Sequence, residues 1–195
     1  MFIDPDGREI ILSGTIAERN TILSSLKKLT NDKLVVNRRS GVVSIVRIGG
    51  ENRGKRLSTG TSLVSKLITS SNVVTISETS GGNSTSPIDG VRADATATGN
   101  GPGTGSTIEY NPNATGSSIV NIDGTTGRPA EIGLAHELSH AERNNDGNRD
   151  MSIDTAKTDP DTGAVGVLTK NEILIRKKDS EIRKEQGVTE RMEPY

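Results

Sequence analysis

The sequence predicts an α+β fold: a small sheet, a helix carrying the pattern HELSH at residues 136–140, and a second, strongly charged helix near the C-terminus. Three observations lead there. Short β-branched runs bounded by Gly, Asn and Pro recur through the first 122 residues and read as strands. Ile132, Ala135, Leu138 and Ser139 form a small-apolar stripe at helical spacing. From about Leu168 to Gln186 the chain keeps a helical pattern rich in charge, stopped by Gly187.

In chain order, Asp4-Pro5-Asp6-Gly7 is a turn and Glu9 to Leu12 a short strand. Thr15 and Glu18 have capping-box spacing, and Ile22, Leu23, Leu26 and Leu29 give the following helix one apolar face. Lys33 to Val36 and Val42 to Ile48 are strands joined as a hairpin through residues 37–41. The arginines and lysine near this hairpin (Arg38, Arg39, Arg47, Arg53, Lys55, Arg56) read as a solvated face. Leu63, Val64, Leu67 and Ile68 mark a second short helix, and Val73 to Ser77 another strand.

Residues 79–106 are almost wholly Gly, Ser, Thr, Asn and Pro, which predicts a long mobile loop or a covering flap. Thr107, Ile108, Glu109 and Tyr110 form a strand, with a further short one at Ser118 to Ile122. Arg128-Pro129-Ala130 opens the HELSH helix with proline near its first position, and the turn chemistry of residues 144–148 ends it. The Asp-rich stretch 145–167 lacks the EF-hand spacing and reads as a solvated loop.

With 195 residues, 30% hydrophobic and 2% aromatic, the chain builds one domain with a lean Ile/Val/Leu core. A net charge of −1 leaves no electrostatic footprint for nucleic acid, and no apolar run approaches a membrane span, so neither partner is expected. The N-terminal MFIDPDGRE has no basic region followed by an apolar stretch, so no secretory signal is expected in this chain. Without cysteine, thiolate metal ligands are excluded.

The chain's only two histidines are His136 and His140, four apart, so both imidazoles leave one face of a helix. Glu137 between them is turned by about 100° and flanks that face without joining it. This is the HExxH arrangement: two neutral imidazoles for Zn²⁺ and a glutamate as general base for a metal-bound water. A catalytic zinc needs a third protein ligand, which here must be a carboxylate. Arg143 and Asp146 stand where a metzincin would need Gly and His. Glu172, Asp179, Glu181 and Glu185 on the last helix are the candidates, with the aspartates of 145–167 as outsiders. Glu172 is favoured: it begins the helix, 32 residues after His140, with Asp179 seven residues later on the same face to hold a ligand imidazole by its other nitrogen. Thr169 to Glu172 is also a capping box, which would give Glu172 a purely structural use. In zinc proteases built this way a strand just upstream of the helix forms the sheet edge on which a peptide is laid, and Thr107 to Tyr110 is the candidate.

LAHELSHA at 134–141, the Gly/Asp-rich loop and NEILIRKKDSEIRKEQGVTERMEPY resemble the NleD-like effector zinc metallopeptidases. That family pattern joins HELxHA to a downstream acid, an EN-x-IR-x-E-x-G segment, an Arg and a Tyr. Glu172 takes the acidic place, residues 179–187 follow the segment with Asp179-Ser180 for Glu-Asn, and Arg191 and Tyr195 take the final pair with one extra residue between them. The resemblance implies a zincin-like fold, Zn²⁺ as cofactor, protein substrates, and Arg191 and Tyr195 as stabilisers of the oxyanion. FIDPDGRE at 2–9 resembles the end of an RHS-repeat core, which implies a leader at 1–12, a metallopeptidase domain at 13–195, delivery into a target cell by a bacterial secretion system, and a cognate immunity protein. The expected function is thus a delivered zinc endopeptidase toxin or effector. The rival is a non-catalytic, metal-stabilised interaction domain of a larger secreted or surface protein, against which Glu137 argues, since a structural zinc needs no general base.

Overall fold

The computed structural model describes residues 9–195. The described residues form a mixed α+β fold of six strands in one sheet and five helices. Along the chain these are β1 (Ile10–Leu12), α1 (Ile16–Leu29), β2 (Lys33–Val36), β3 (Val42–Arg47), α2 (Ser58–Thr69), β4 (Val74–Glu78), β5 (Ser84–Pro87), α3 (Gly90–Ala93), β6 (Ser106–Tyr110), α4 (Ala130–Asp146) and α5 (Lys170–Gln186). The strand order is β2-β3-β1-β4-β6-β5, with β1–β4 and β4–β6 parallel and the other pairs antiparallel.

Side chains alternate as a pleated strand dictates. On β6, Ser106, Ile108 and Tyr110 are buried while Thr107 and Glu109 are exposed. Ile10, Leu12, Val43, Val74, Ile76 and Ile108 line the buried face, where Ile22, Leu26 and Leu29 of α1 and Ile132, Leu134, Ala135, Leu138 and Ala141 of α4 close the core. Each fully buried Leu or Ile contributes about 1.5–3 kcal/mol, enough in sum for a core almost without aromatics. α1 starts at the complete capping box of Thr15 and Glu18. α4 and α5 end at Gly147 and Gly187, whose left-handed backbones let their N–H groups cap the last turn.

Several expectations change. Ile10 to Leu12, assigned to a leader, form the centre of the sheet, paired on both sides and with Ile10 and Leu12 fully buried, so the folded unit begins before residue 13. The RHS-like residues 2–8 lie outside the described residues. The stretch 79–106 is not one long loop: Ser84–Pro87 is a strand and Asp89 caps the short helix α3. Thr107 to Tyr110 is a strand, but β4 and β6 pair throughout and β5 covers the other side, so its backbone cannot receive a peptide. Chain order did not reveal this, because β5 has the polar sequence STSP and shows no apolar alternation. Its proline suits a strand with one unpaired side. Residues 118–122 give only isolated bridges, Val120 with Thr126 and Asn121 with Arg191.

A candidate metal centre

α4 lies between the sheet and α5, and its packing fixes the site. Leu134, Ala135, Leu138 and Ala141 are fully buried, which turns His136 and His140 toward α5. Their rings sit edge to face, centroids 5.0 Å apart. Across from them, at the first turn of α5, Glu172 places Oε2 3.6 Å from His136 Nε2 and 3.3 Å from His140 Nε2. These three are the group whose ligand atoms, one each, lie within 4.8 Å of one another. Tetrahedral zinc with bonds of about 2.0–2.1 Å separates its ligand atoms by about 3.3 Å. The two carboxylate–imidazole gaps, 3.6 and 3.3 Å, lie close to that spacing, so the donor set fits a metal ion.

Protonation states agree. Burial drives the His136 pKa well below its ordinary value, leaving the neutral imidazole that a metal requires. Burial alone would raise the Glu172 pKa, but the adjoining His140, His136 and Arg176 outweigh it and hold the group well below the carboxylate range. Burial pushes the Glu137 carboxyl up from its ordinary value, against the pull of His140, Thr85 and Arg128, toward the range of a general base. Glu137 is buried on the side facing β5, where the Thr85 hydroxyl lies 2.8 Å from Oε2 and 3.0 Å from the Glu137 carbonyl oxygen.

The carboxylate candidates separate cleanly. Thr169 accepts from the Glu172 N–H at 3.1 Å, but the Glu172 side chain does not return to Thr169; Arg176 donates to its Oε1 instead. Half of the capping box exists, and Oε2 is left for the metal cluster. Asp179, fully buried, sets Oδ2 3.9 Å from His136 Nδ1, and neither atom has a hydrogen-bond partner within the protein. Arg183 donates to its other oxygen at 3.3 Å. Glu181 is exposed, and Glu185 points to α2, accepting from Ser58 Oγ at 2.7 Å and from the Thr59 and Gly60 N–H groups at 2.6 and 3.1 Å. It caps a helix that has no side-chain cap of its own.

Arg191 reaches the cluster, 3.7 Å from Glu172 Oε1 and 4.0 Å from Asp179 Oδ2, and is bonded to Asp161. It is 5% exposed, so three acids engage it where a substrate was expected. Tyr195 is 67% exposed, and its backbone carbonyl accepts from the Thr158 N–H.

Sequence reasoning missed Thr85, Arg176 and Asn171, and it read Asp159 and Asp161 as part of a solvated loop. Asn171 is buried beside the His140 ring, its amide 3.4 Å from Nδ1, and accepts from Arg143. The aspartates near 160 are not solvated: Asp159 binds Arg176 at 2.7 Å and Asp161 binds Arg191. One signal existed, since Glu172–Arg176 and Asp179–Arg183 repeat an acid-to-arginine i,i+4 pair at a seven-residue interval.

No curated protein matches the chain. A family model, Peptidase M91, described as an effector protein, matches residues 52–193. That span begins before α2, extends past α5 and contains His136, Glu137, His140, Glu172, Asp179 and Arg191. The chain belongs to the M91 family of effector peptidases.

Proposed function

We propose that this chain is a zinc endopeptidase of zincin-like architecture, cleaving proteins of a cell into which it is delivered. The observation that carries the reading is the convergence of His136 Nε2, His140 Nε2 and Glu172 Oε2, with the buried carboxylate of Glu137 on the same helix. When bound, zinc supplies Lewis acidity toward a peptide carbonyl and lowers the pKa of a water molecule. His136, His140 and Glu172 hold the ion, and Asp179 orients the His136 ring from behind. Glu137 takes the water's proton; the Thr85 hydroxyl on Oε2 leaves Oε1 to do so and fixes the plane of the carboxylate. Arg191 supplies positive charge on the acid side of the cluster.

The edge strand for a substrate is β5. The Ile88 N–H donates to the Gly105 carbonyl, and in the antiparallel register this alternation turns the backbone groups of Thr85 and Pro87 away from β6. An extended peptide can pair there, beside the base that Thr85 holds. No helix among the described residues is long and apolar enough to cross a membrane. The RHS-borne setting and the immunity protein rest on residues 2–9 and their resemblance alone.

The test is cleavage of a cell lysate by purified protein, read as new peptide N-termini. Cleavage that stops with a chelator and returns with zinc is expected. A zinc-loaded, folded protein that generates no new termini in lysates of bacterial and eukaryotic cells would overturn the reading in favour of the passenger domain.

A further inference from the structure

We infer that Arg176 is a positioning residue for the metal ligand, sorting the two oxygens of Glu172 so that one alone faces the ion. The inference rests on the proposed metal site and adds a residue to it. Arg176 is one turn after Glu172 on α5, 5% exposed, and donates through Nε to Glu172 Oε1 at 2.8 Å. Arg191 Nη1 approaches the same oxygen at 3.7 Å. Both imidazole nitrogens approach the other oxygen, Oε2. The carboxylate is therefore divided: Oε1 belongs to guanidinium groups and Oε2 to the histidines.

Such a division has a chemical consequence. A glutamate on an exposed first turn rotates about its side-chain bonds and can offer either oxygen or both. Two fixed cations on Oε1 remove that freedom before the metal arrives, so less ordering is left for binding.

Arg176 is itself held. Its Nη1 donates to Asp159 Oδ1 at 2.7 Å, and its Nη2 lies 3.6 Å from Asp161 Oδ2. The planar fork thus spans Glu172 on one edge and the 157–163 loop on the other, a geometry that one ammonium cannot reproduce. A merely structural Arg176 would tie that loop to α5 and leave metal affinity untouched.

The test is zinc affinity, by competition with a chromophoric chelator, together with the visible spectrum of the Co²⁺-loaded protein. Arg176→Met keeps the buried stem and removes the charge. It is expected to weaken zinc binding by about 10- to 100-fold, as loss of a group behind a metal ligand does, and to alter the Co²⁺ bands. Arg176→Lys should fall between Met and wild type. If Arg176→Met does not fold, Arg176→Lys decides, with weaker binding expected at unchanged far-ultraviolet circular dichroism. Wild-type affinity and an unchanged Co²⁺ spectrum in whichever folded variant decides would overturn the inference. Glu172→Ala is the control: its loss of zinc beside a normal Arg176 variant refutes the positioning role alone. Wild-type affinity in Glu172→Ala refutes the metal site itself.

Discussion

α4 buries Ile132, Leu134, Ala135, Leu138 and Ala141 against the sheet, whereas α5 buries Arg176, Asp179 and Arg183 with only Ile175 and Ile182 as apolar company. Both helices are 17 residues long, both end at a left-handed glycine, and each supplies part of one candidate metal site. α4 has no side-chain N-cap and takes its place from apolar contact, which is non-directional. α5 is placed by Thr169 at its start, Glu185 at its end and, between them, the ion pairs of Arg176 with Asp159 and of Lys178 with Glu142. The histidines can be set by packing, because a ring on a fixed helix has few ways to turn. A glutamate has more freedom, and its direction must be specified by charges around it.

The largest effect should fall on α4 and be chemical. Glu137→Gln is expected to lower peptide cleavage by about 10² to 10⁴ while zinc content and thermal midpoint hold, since the amide cannot take a proton. Comparable losses of activity and zinc together would mean that Glu137 serves the metal shell, and the division of labour between the helices would be wrong.

On α5, Asp179→Ala leaves the fully buried Arg183 with only the neutral acceptors Asn121 and Thr189 and should cost about 3–5 kcal/mol in urea unfolding of the metal-free protein. Zinc affinity should fall with it, because His136 Nδ1 loses the carboxylate behind it. Leu138→Ala on α4 is the counterpart, at about 2–5 kcal/mol. Its zinc affinity, measured under conditions where it is folded, should stay near wild type. Equal zinc loss in both variants would erase the contrast between packing and charge.

Glu185→Gln should cost about 1–2 kcal/mol, since the carboxylate takes three donors at the uncapped start of α2. Burial opposes its ionisation, but those hydrogen bonds win and hold its folded pKa below the ordinary 4.5. A depressed acid contributes fully above the unfolded value and loses that contribution as pH falls through the folded one. The gap between wild type and variant, followed by unfolding at stepped pH, should therefore be constant above about pH 5 and close below the ordinary value of 4.5. A gap that persists at the acid end would show that the charge is not what caps α2.

Smallest is Thr169→Ala, expected to cost about 1 kcal/mol as a lost N-cap. Zinc affinity should hardly change, because Glu172 returns no hydrogen bond to Thr169. Strong zinc loss here would mean that the cap, and not the arginines, aims the ligand.

From sequence alone, periodicity and capping determined most elements: α1 from Thr15 and Glu18 with its apolar face, α5 from its charged pattern and Gly187, and five of the strands within a residue or two. The two histidines of the candidate metal cluster were legible because i,i+4 spacing is a local property of a helix, and Glu172 because the elimination of every other ligand type left only acids. Strand order was not legible. It depends on which backbone edge is already paired, and a polar strand such as β5 has no alternation to announce it. The arginine partners were hidden for a similar reason: a charged residue on a helix usually faces water, and only the docking of the 157–163 loop made Arg176 a buried group. Local spacing set the atoms that could bind a metal, whereas the direction in which Glu172 points was decided by Arg176, itself held by Asp159 of the 157–163 loop, and by Arg191 from beyond the helix.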